Sequence, residues 1–300
     1  MNPMPYNTAT TRRPWLGATA AALLLFVSAC AGQEGTSEPG PVGSGSPGPL
    51  DADAVAIRVD RTGGFVPASA IPGRLPVVSV YGDGRVITEG PVPAIYPGPA
   101  VPNVQQRRIP TGDVALLVRK ALDAGVGSGA DFGQPTVTDM PNTRFTVTTA
   151  EGLRQSEVYG LEMVEERPNR VLTDAQRAAR KKLTALVDEL QNPPTATDEP
   201  EPYPVSALAA LATEYQSPAD LPSPPAAVAW PGPALPGEPL RPGSMIGCVT
   251  VTGDAAKTIL ATAATANAAT PWTSGGKTWR LQLRPLLPDE SGCADLAARR

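Results

Sequence analysis

Val77-Val78-Ser79-Val80-Tyr81-Gly82-Asp83-Gly84-Arg85-Val86-Ile87 is the stretch on which the fold turns. Two runs rich in β-branched residues flank Gly-Asp-Gly. Glycines around an aspartate supply the positive φ values of a tight reversal, so the stretch predicts a β-hairpin. On this reading Asp83 is a turn residue and not a metal ligand or catalytic acid. Upstream, Val55, Ile57 and Val59 alternate with Ala56 and Arg58 before Gly63-Gly64, the period of a half-buried strand. Downstream, residues 91–110 carry prolines at 91, 93, 97, 99, 102 and 110, which argues against helix and central strand and predicts extended surface chain.

A helix capped by Thr111 follows, because Val114, Leu117, Val118, Ala121 and Leu122 recur at i, i+3, i+4, i+7 and i+8. Arg119 and Lys120 complement its dipole and Gly125 ends it. Phe145-Thr146-Val147-Thr148, a turn at Glu151-Gly152 and residues 153–159 read as a second hairpin. Thr173 with Gln176 three residues on forms a capping box for a helix whose buried stripe is Ala179, Leu183, Leu186, Val187 and Leu190. Residues 193–242 then hold 14 prolines. Inside that stretch, residues 205–215 fit either a helix face or a short strand, and periodicity does not arbitrate. Beyond it lie a strand from Cys248 to Thr252, an Ala-rich helix opened by Asp254, and a strand from Lys277 to Leu283. In the last strand Trp279, Leu281 and Leu283 form one dry face and Thr278, Arg280, Gln282 and Arg284 a wet one.

This order of elements predicts an α+β fold: antiparallel sheet hairpins with packed helices, loop-heavy, in two halves joined by a proline-rich segment. The expected organisation is 1–29 signal peptide, 30–50 linker, 51–192 N-terminal half, 193–242 connection and 243–300 C-terminal strand-helix-strand unit. That last unit echoes the first half too faintly to count as a repeat.

Composition bounds the rest. The chain has 300 residues, 41% of them hydrophobic, enough for a real core, while Pro (36) and Gly (29) imply long extended connections. Without Arg12 and Arg13, 23 basic residues face 29 acidic ones, a net charge of −6, which offers no attraction to nucleic acid.

The N-terminus gives the address. Arg12-Arg13 precede the uncharged apolar run 15–27, whose 13 residues are short of the roughly 20 that span a bilayer. The length fits a signal peptide, with the arginine pair read as its ordinary positive region in preference to a twin-arginine export signal. The run ends in Val27-Ser28-Ala29-Cys30, which resembles the lipobox of bacterial lipoproteins. The resemblance implies a diacylglyceryl group on the Cys30 sulfur, cleavage between Ala29 and Cys30, and a lipid-anchored protein at the outer face of the cell membrane. Residues 31–50, rich in Gly, Ser, Pro and Glu, read as its flexible tether. With Cys30 acylated in an oxidising compartment, the two remaining thiols, Cys248 and Cys293, are the expected disulfide.

Catalytic motifs are mostly eliminated. The chain contains no histidine, which removes His-dependent nucleophiles and bases and nearly all zinc sites. Gly275-Gly276-Lys277-Thr278 lacks the glycine a phosphate loop needs where Pro271 stands, and reads as a hairpin turn. Asp131-Phe132-Gly133 matches a kinase triplet by coincidence. Glu162, Glu165 and Glu166 beside Arg167 and Arg170 read as a solvated charged surface, and Asp139 as a turn residue bonding its own backbone. No cofactor, metal or catalytic residue is expected.

Gly63-Gly64-Phe65-Val66-Pro67, Tyr81-Gly82-Asp83-Gly84-Arg85-Val86, Tyr96-Pro97-Gly98-Pro99, Pro271-Trp272-Thr273-Ser274-Gly275-Gly276 and Arg284-Pro285-Leu286-Leu287-Pro288 resemble stretches of uncharacterised exported lipoproteins of actinobacteria. That resemblance implies envelope residence and carries over no catalytic residue. The expectation is a non-catalytic module that contacts an envelope protein, peptidoglycan or a small ligand through proline-rich edges and exposed aromatics such as Trp230 and Trp272. The competing expectation is a hydrolase of envelope polysaccharide or peptide, acting through two carboxylates that converge across a cleft.

Overall fold

The computed structural model describes residues 50–163, 171–221, 223 and 225–298. The signal peptide, Cys30, Glu165, Glu166, Arg167 and Arg170 lie outside the described residues. The opening hairpin is present as β2 (Val78–Tyr81) and β3 (Arg85–Glu89). Its glycines do different work from each other. Gly84 takes the positive φ of +85°, whereas Gly82 is needed for space, since a Cβ there would meet the Asp51 carbonyl oxygen at 2.4 Å.

Strand β1 (Val55–Gly63) pairs with β2 on one side and with β5 (Pro141–Thr149) on the other, and β5 turns back as β6 (Gly152–Tyr159). A register shift between Val55 and Ile57 breaks simple alternation, so Ala56 and Ile57 are both buried. The proline-rich stretch departs from expectation. Val104–Arg108 forms β4, paired with β3 and with the short β7 (Glu201–Pro202), so a strand lies within it after all. The prolines stand before and after β4, none within it, and its ladder hydrogen bonds are therefore intact. The seven strands run β6-β5-β1-β2-β3-β4-β7.

Helices α1 (Thr111–Asp123) and α2 (Asp174–Gln191) cover one face of this sheet, with Leu117, Val118, Ala121, Leu183, Leu186 and Leu190 buried on Val59, Phe145 and Val147. The Thr173–Gln176 capping box is formed. Thr111 caps nothing: Pro110 is the cap residue and Thr111 is the first helical residue. Proline fits there because a helix start has no use for its missing N–H.

A second sheet runs β10-β11-β8-β13-β12-β9. Its strands are β8 (Ala207–Glu214), β9 (Val228–Ala229), β10 (Glu238–Pro239), β11 (Gly247–Thr252), β12 (Pro271–Ser274) and β13 (Lys277–Pro285). Residues 207–214 are thus strand, the alternative periodicity left open. Their alanines let α3 (Gly253–Ala263) pack close on one face with Ile259 against Leu208, Ala210 and Leu283. In each sheet the first strand to appear is flanked by its next long partner and by a hairpin that follows a helix. The first sheet attaches that hairpin through its first strand, β5, and the second through its second strand, β13, so the echo is not a repeat.

The expected wet face of β13 is wet only at its start, where Thr278 and Arg280 are exposed. Arg284 is fully buried, and Gln282 packs against Gly73, because the loop 68–75 of the first half lies over it. Trp230 and Trp272 are likewise buried, meeting edge to face at 5.7 Å in the core beneath α3, so neither is an exposed contact residue. A strand alternation shows which side chains share a face but not what covers that face.

Cys248, on β11, and Cys293, at the start of α4 (Cys293–Ala297), have their sulfurs 2.08 Å apart, a disulfide. It closes a 45-residue separation, for which the chain-entropy model gives about 4 kcal/mol. Among the described residues no helix is long and apolar enough to cross a membrane.

Candidate functional site

The faces of the two sheets that carry no large helix meet through the segment 285–290, and the polar residues of the fold gather there. Arg58 and Ser79 and Tyr81 stand on adjacent strands, β1 and β2, on one face of the first sheet. Arg58 grips Asp289 with two hydrogen bonds of 2.8 and 2.7 Å and reaches Ser79, while the Tyr81 hydroxyl donates to Asp289 at 2.8 Å. Arg284, six residues before Glu290, donates to it at 3.0 Å, and Glu290 accepts the Leu287 N–H at 2.8 Å. Side-chain exposure of 0% and 2% makes Arg284–Glu290 an interior ion pair.

Burial raises the Tyr81 hydroxyl well above its ordinary range. Burial also pushes the Asp289 carboxyl upward, but the hydrogen bonds and charge of Arg58 and the Tyr81 hydroxyl outweigh it and hold the group below the usual carboxylate range. Glu89, near Arg284, is raised by burial.

Beside this junction opens a cavity of about 340 Å³ lined by Asp53, Arg85, Gln106, Arg108, Tyr203 and Ser206 among others. The strands explain the lining: β3 and β4 pair Arg85 with Arg108, so two guanidinium groups leave neighbouring strands side by side. Arg85 is held by Asp53 and by Asp83 at 2.7 Å, and its guanidinium lies 5.4 Å from the Tyr81 ring centroid. Arg108 is half-exposed, lines the cavity and meets Asp83 only at 3.8 Å, a looser contact than the 2.7 Å pairing of Arg85. The cavity thus offers donors from Arg108, an acceptor from the exposed Asp53, and the Tyr203 ring, the mixture that suits a small polar molecule.

Of the residues singled out in the sequence, Asp83 is a turn residue that accepts the Arg85 N–H, as expected, and also orders the cavity wall. Asp139 has a positive φ of +64°, its carbonyl accepts the Phe65 N–H, and it does not line this cavity. Asp131 accepts the Gly133 N–H within its turn. Glu162 pairs with Arg61 on the surface. Sequence reasoning passed over Arg58, Arg85, Arg108, Arg284, Asp289 and Glu290, which are scattered along the chain and follow no motif spacing. The one available signal is Asp289-Glu290 directly after the apolar Pro285-Leu286-Leu287-Pro288.

Among the described residues no group of three metal-ligating side chains converges. No family model, curated protein or solved structure matches the chain.

Because the native Asp289 carboxyl is held below its unfolded value of about 3.9, it contributes stability that is present above that pH and lost as pH falls through the native value. Urea unfolding between pH 7 and pH 2.5 should show this loss in the wild type. Asp289→Asn should be less stable at neutral pH and flatter in its acid dependence.

Proposed function

We propose that this chain is an exported lipoprotein, held at the outer face of the cell membrane through acylated Cys30, whose folded part is a non-catalytic module binding a small polar component of the envelope. The observation that carries the reading is the Cys248–Cys293 pair. A disulfide suits an oxidising compartment, and with two of the three cysteines joined, Cys30 is left for the lipid. Two or three acyl chains, at roughly 0.8 kcal/mol per buried methylene, would hold the protein firmly.

The junction cavity supports binding over catalysis. A carboxylate-dependent hydrolase needs two acids converging across an open cleft. Here Asp289 and Glu290 are each committed to an arginine, and Glu290 is closed to solvent. The open cavity instead presents opposed charges and amide and hydroxyl groups, as recognition of a zwitterionic or hydroxylated fragment such as a peptidoglycan piece requires.

Growth with a clickable fatty-acid analogue should label the wild-type protein and leave Cys30→Ala unlabelled; equal labelling of both overturns the anchor. Native mass spectrometry with soluble peptidoglycan fragments should show a one-to-one complex. Arg108→Ala should weaken it at least tenfold with an unchanged melting temperature, and an unaltered affinity would remove the cavity from the reading.

A further inference from the structure

On the other face of the first sheet, where the helix layer ends above the last residues of β1, lies a separate cavity of about 260 Å³. Val59 and Arg61 share one face of β1, and Arg61 is paired in register with Thr143 of β5. From α2 come Thr184, Val187, Asp188 and Gln191, spaced i, i+3, i+4 and i+7 and therefore one stripe of the helix. This stripe adjoins the buried one of Leu183, Leu186 and Leu190 but is only half engaged with the sheet. The floor is apolar, from Val59, Val77, Leu161 and Val187.

Charge on the rim is unbalanced. Arg61 and Glu162 satisfy each other in an exposed ion pair, whereas the third charged group, the Asp188 carboxylate, is exposed and makes no ion pair among the described residues. Water inside an apolar-walled cavity finds few partners, so an apolar body that displaces it is favoured. A body that covers Asp188 also removes a carboxylate from water, which is costly unless a positive charge accompanies it. A neutral or anionic occupant would leave that carboxylate unpaired.

We infer that this cleft is a second binding site, distinct from the junction cavity, and that it takes a small amine: a compact apolar body seated on Val59, Val77, Leu161 and Val187, with its ammonium group on Asp188. Gln191, half-buried, lines the same cleft and has an amide oxygen that can accept a remaining ammonium proton. The inference does not depend on the lipid anchor or on the junction cavity.

The test is isothermal titration of the full chain in lipid nanodiscs with cyclohexylamine, cyclohexanol and cyclohexanecarboxylate, with empty nanodiscs subtracted. Saturable one-to-one binding of the amine is expected, with the alcohol and the carboxylate at least tenfold weaker. Asp188→Asn should weaken the amine at least tenfold. Thr184→Phe and Val187→Phe, which fill the cleft from the half-buried stripe of α2, should each abolish binding, and a wild-type melting temperature in either one shows that the loss is not unfolding. Absence of saturable binding, equal binding of the alcohol, or undiminished binding in a folded cleft-filling variant overturns the proposal.

Discussion

The pair Arg284–Glu290 is the constraint from which the rest of the structure follows. Two opposite charges with essentially no exposure are tolerable only together, and removing one partner of such a pair costs about 3–5 kcal/mol because the other remains buried and uncompensated. Glu290 can reach Arg284 only if residues 285–290 double back, and it fixes that reversal by also accepting the Leu287 N–H. The reversal carries Leu287 onto Tyr81, Ile87 and Val104 of the first sheet and puts Asp289 within reach of Arg58. One ion pair in the second sheet thus sets the apolar and the polar contacts by which the first sheet is held.

The cavity is a consequence of the same arrangement. Two twisted sheets joined through a six-residue segment leave a gap at the side of the contact, and its walls are whatever the nearest strands present. Here these are the guanidinium groups of Arg85 and Arg108, with Tyr203 and Pro288 closing the gap. Because the wall residues sit on paired strands and not on loose loops, the donors are held in place before any ligand arrives, which lowers the entropic cost of recognition. The disulfide ties β11 to α4, whose Leu296 packs with Ala209, Leu211 and Leu286 of the second sheet and the segment after it.

How much of this was legible depended on whether the cause was local. The hairpin around Asp83, the capping box at Thr173, the stripe of α1 apart from the exposed Leu122, and the Gly275-Gly276 turn are readable because neighbouring residues determine them. Strand β4 is hidden by the proline density of residues 91–110 taken as a whole, whereas every proline there falls outside 104–108. Alanine and leucine in 207–214 carry no period that separates helix from strand; pairing with both β11 and β13 decided it. Alternation identifies faces but not layers, so the burial of Arg284 is invisible in the sequence: the layer over that end of β13 comes from a loop about 210 residues earlier in the chain, and Trp272 on β12 is covered instead by the α3 side of the sheet and Trp230. The candidate site was illegible for the same reason: Arg58 and Asp289 are 231 residues apart, and no local pattern announces an arginine that will be buried.

If the junction makes the two sheets one cooperative unit, they must unfold together. From Cys30 onward the tryptophans are Trp230, Trp272 and Trp279, all in or against the core of the second sheet, while α1 and α2 hold most of the helix and cover the first. Tryptophan fluorescence and helical circular dichroism therefore report on different sheets in one urea titration. Coincident transitions are predicted. Two separated midpoints, with either sheet persisting after the other is lost, would contradict the central role given to Arg284, Glu290 and the segment between them.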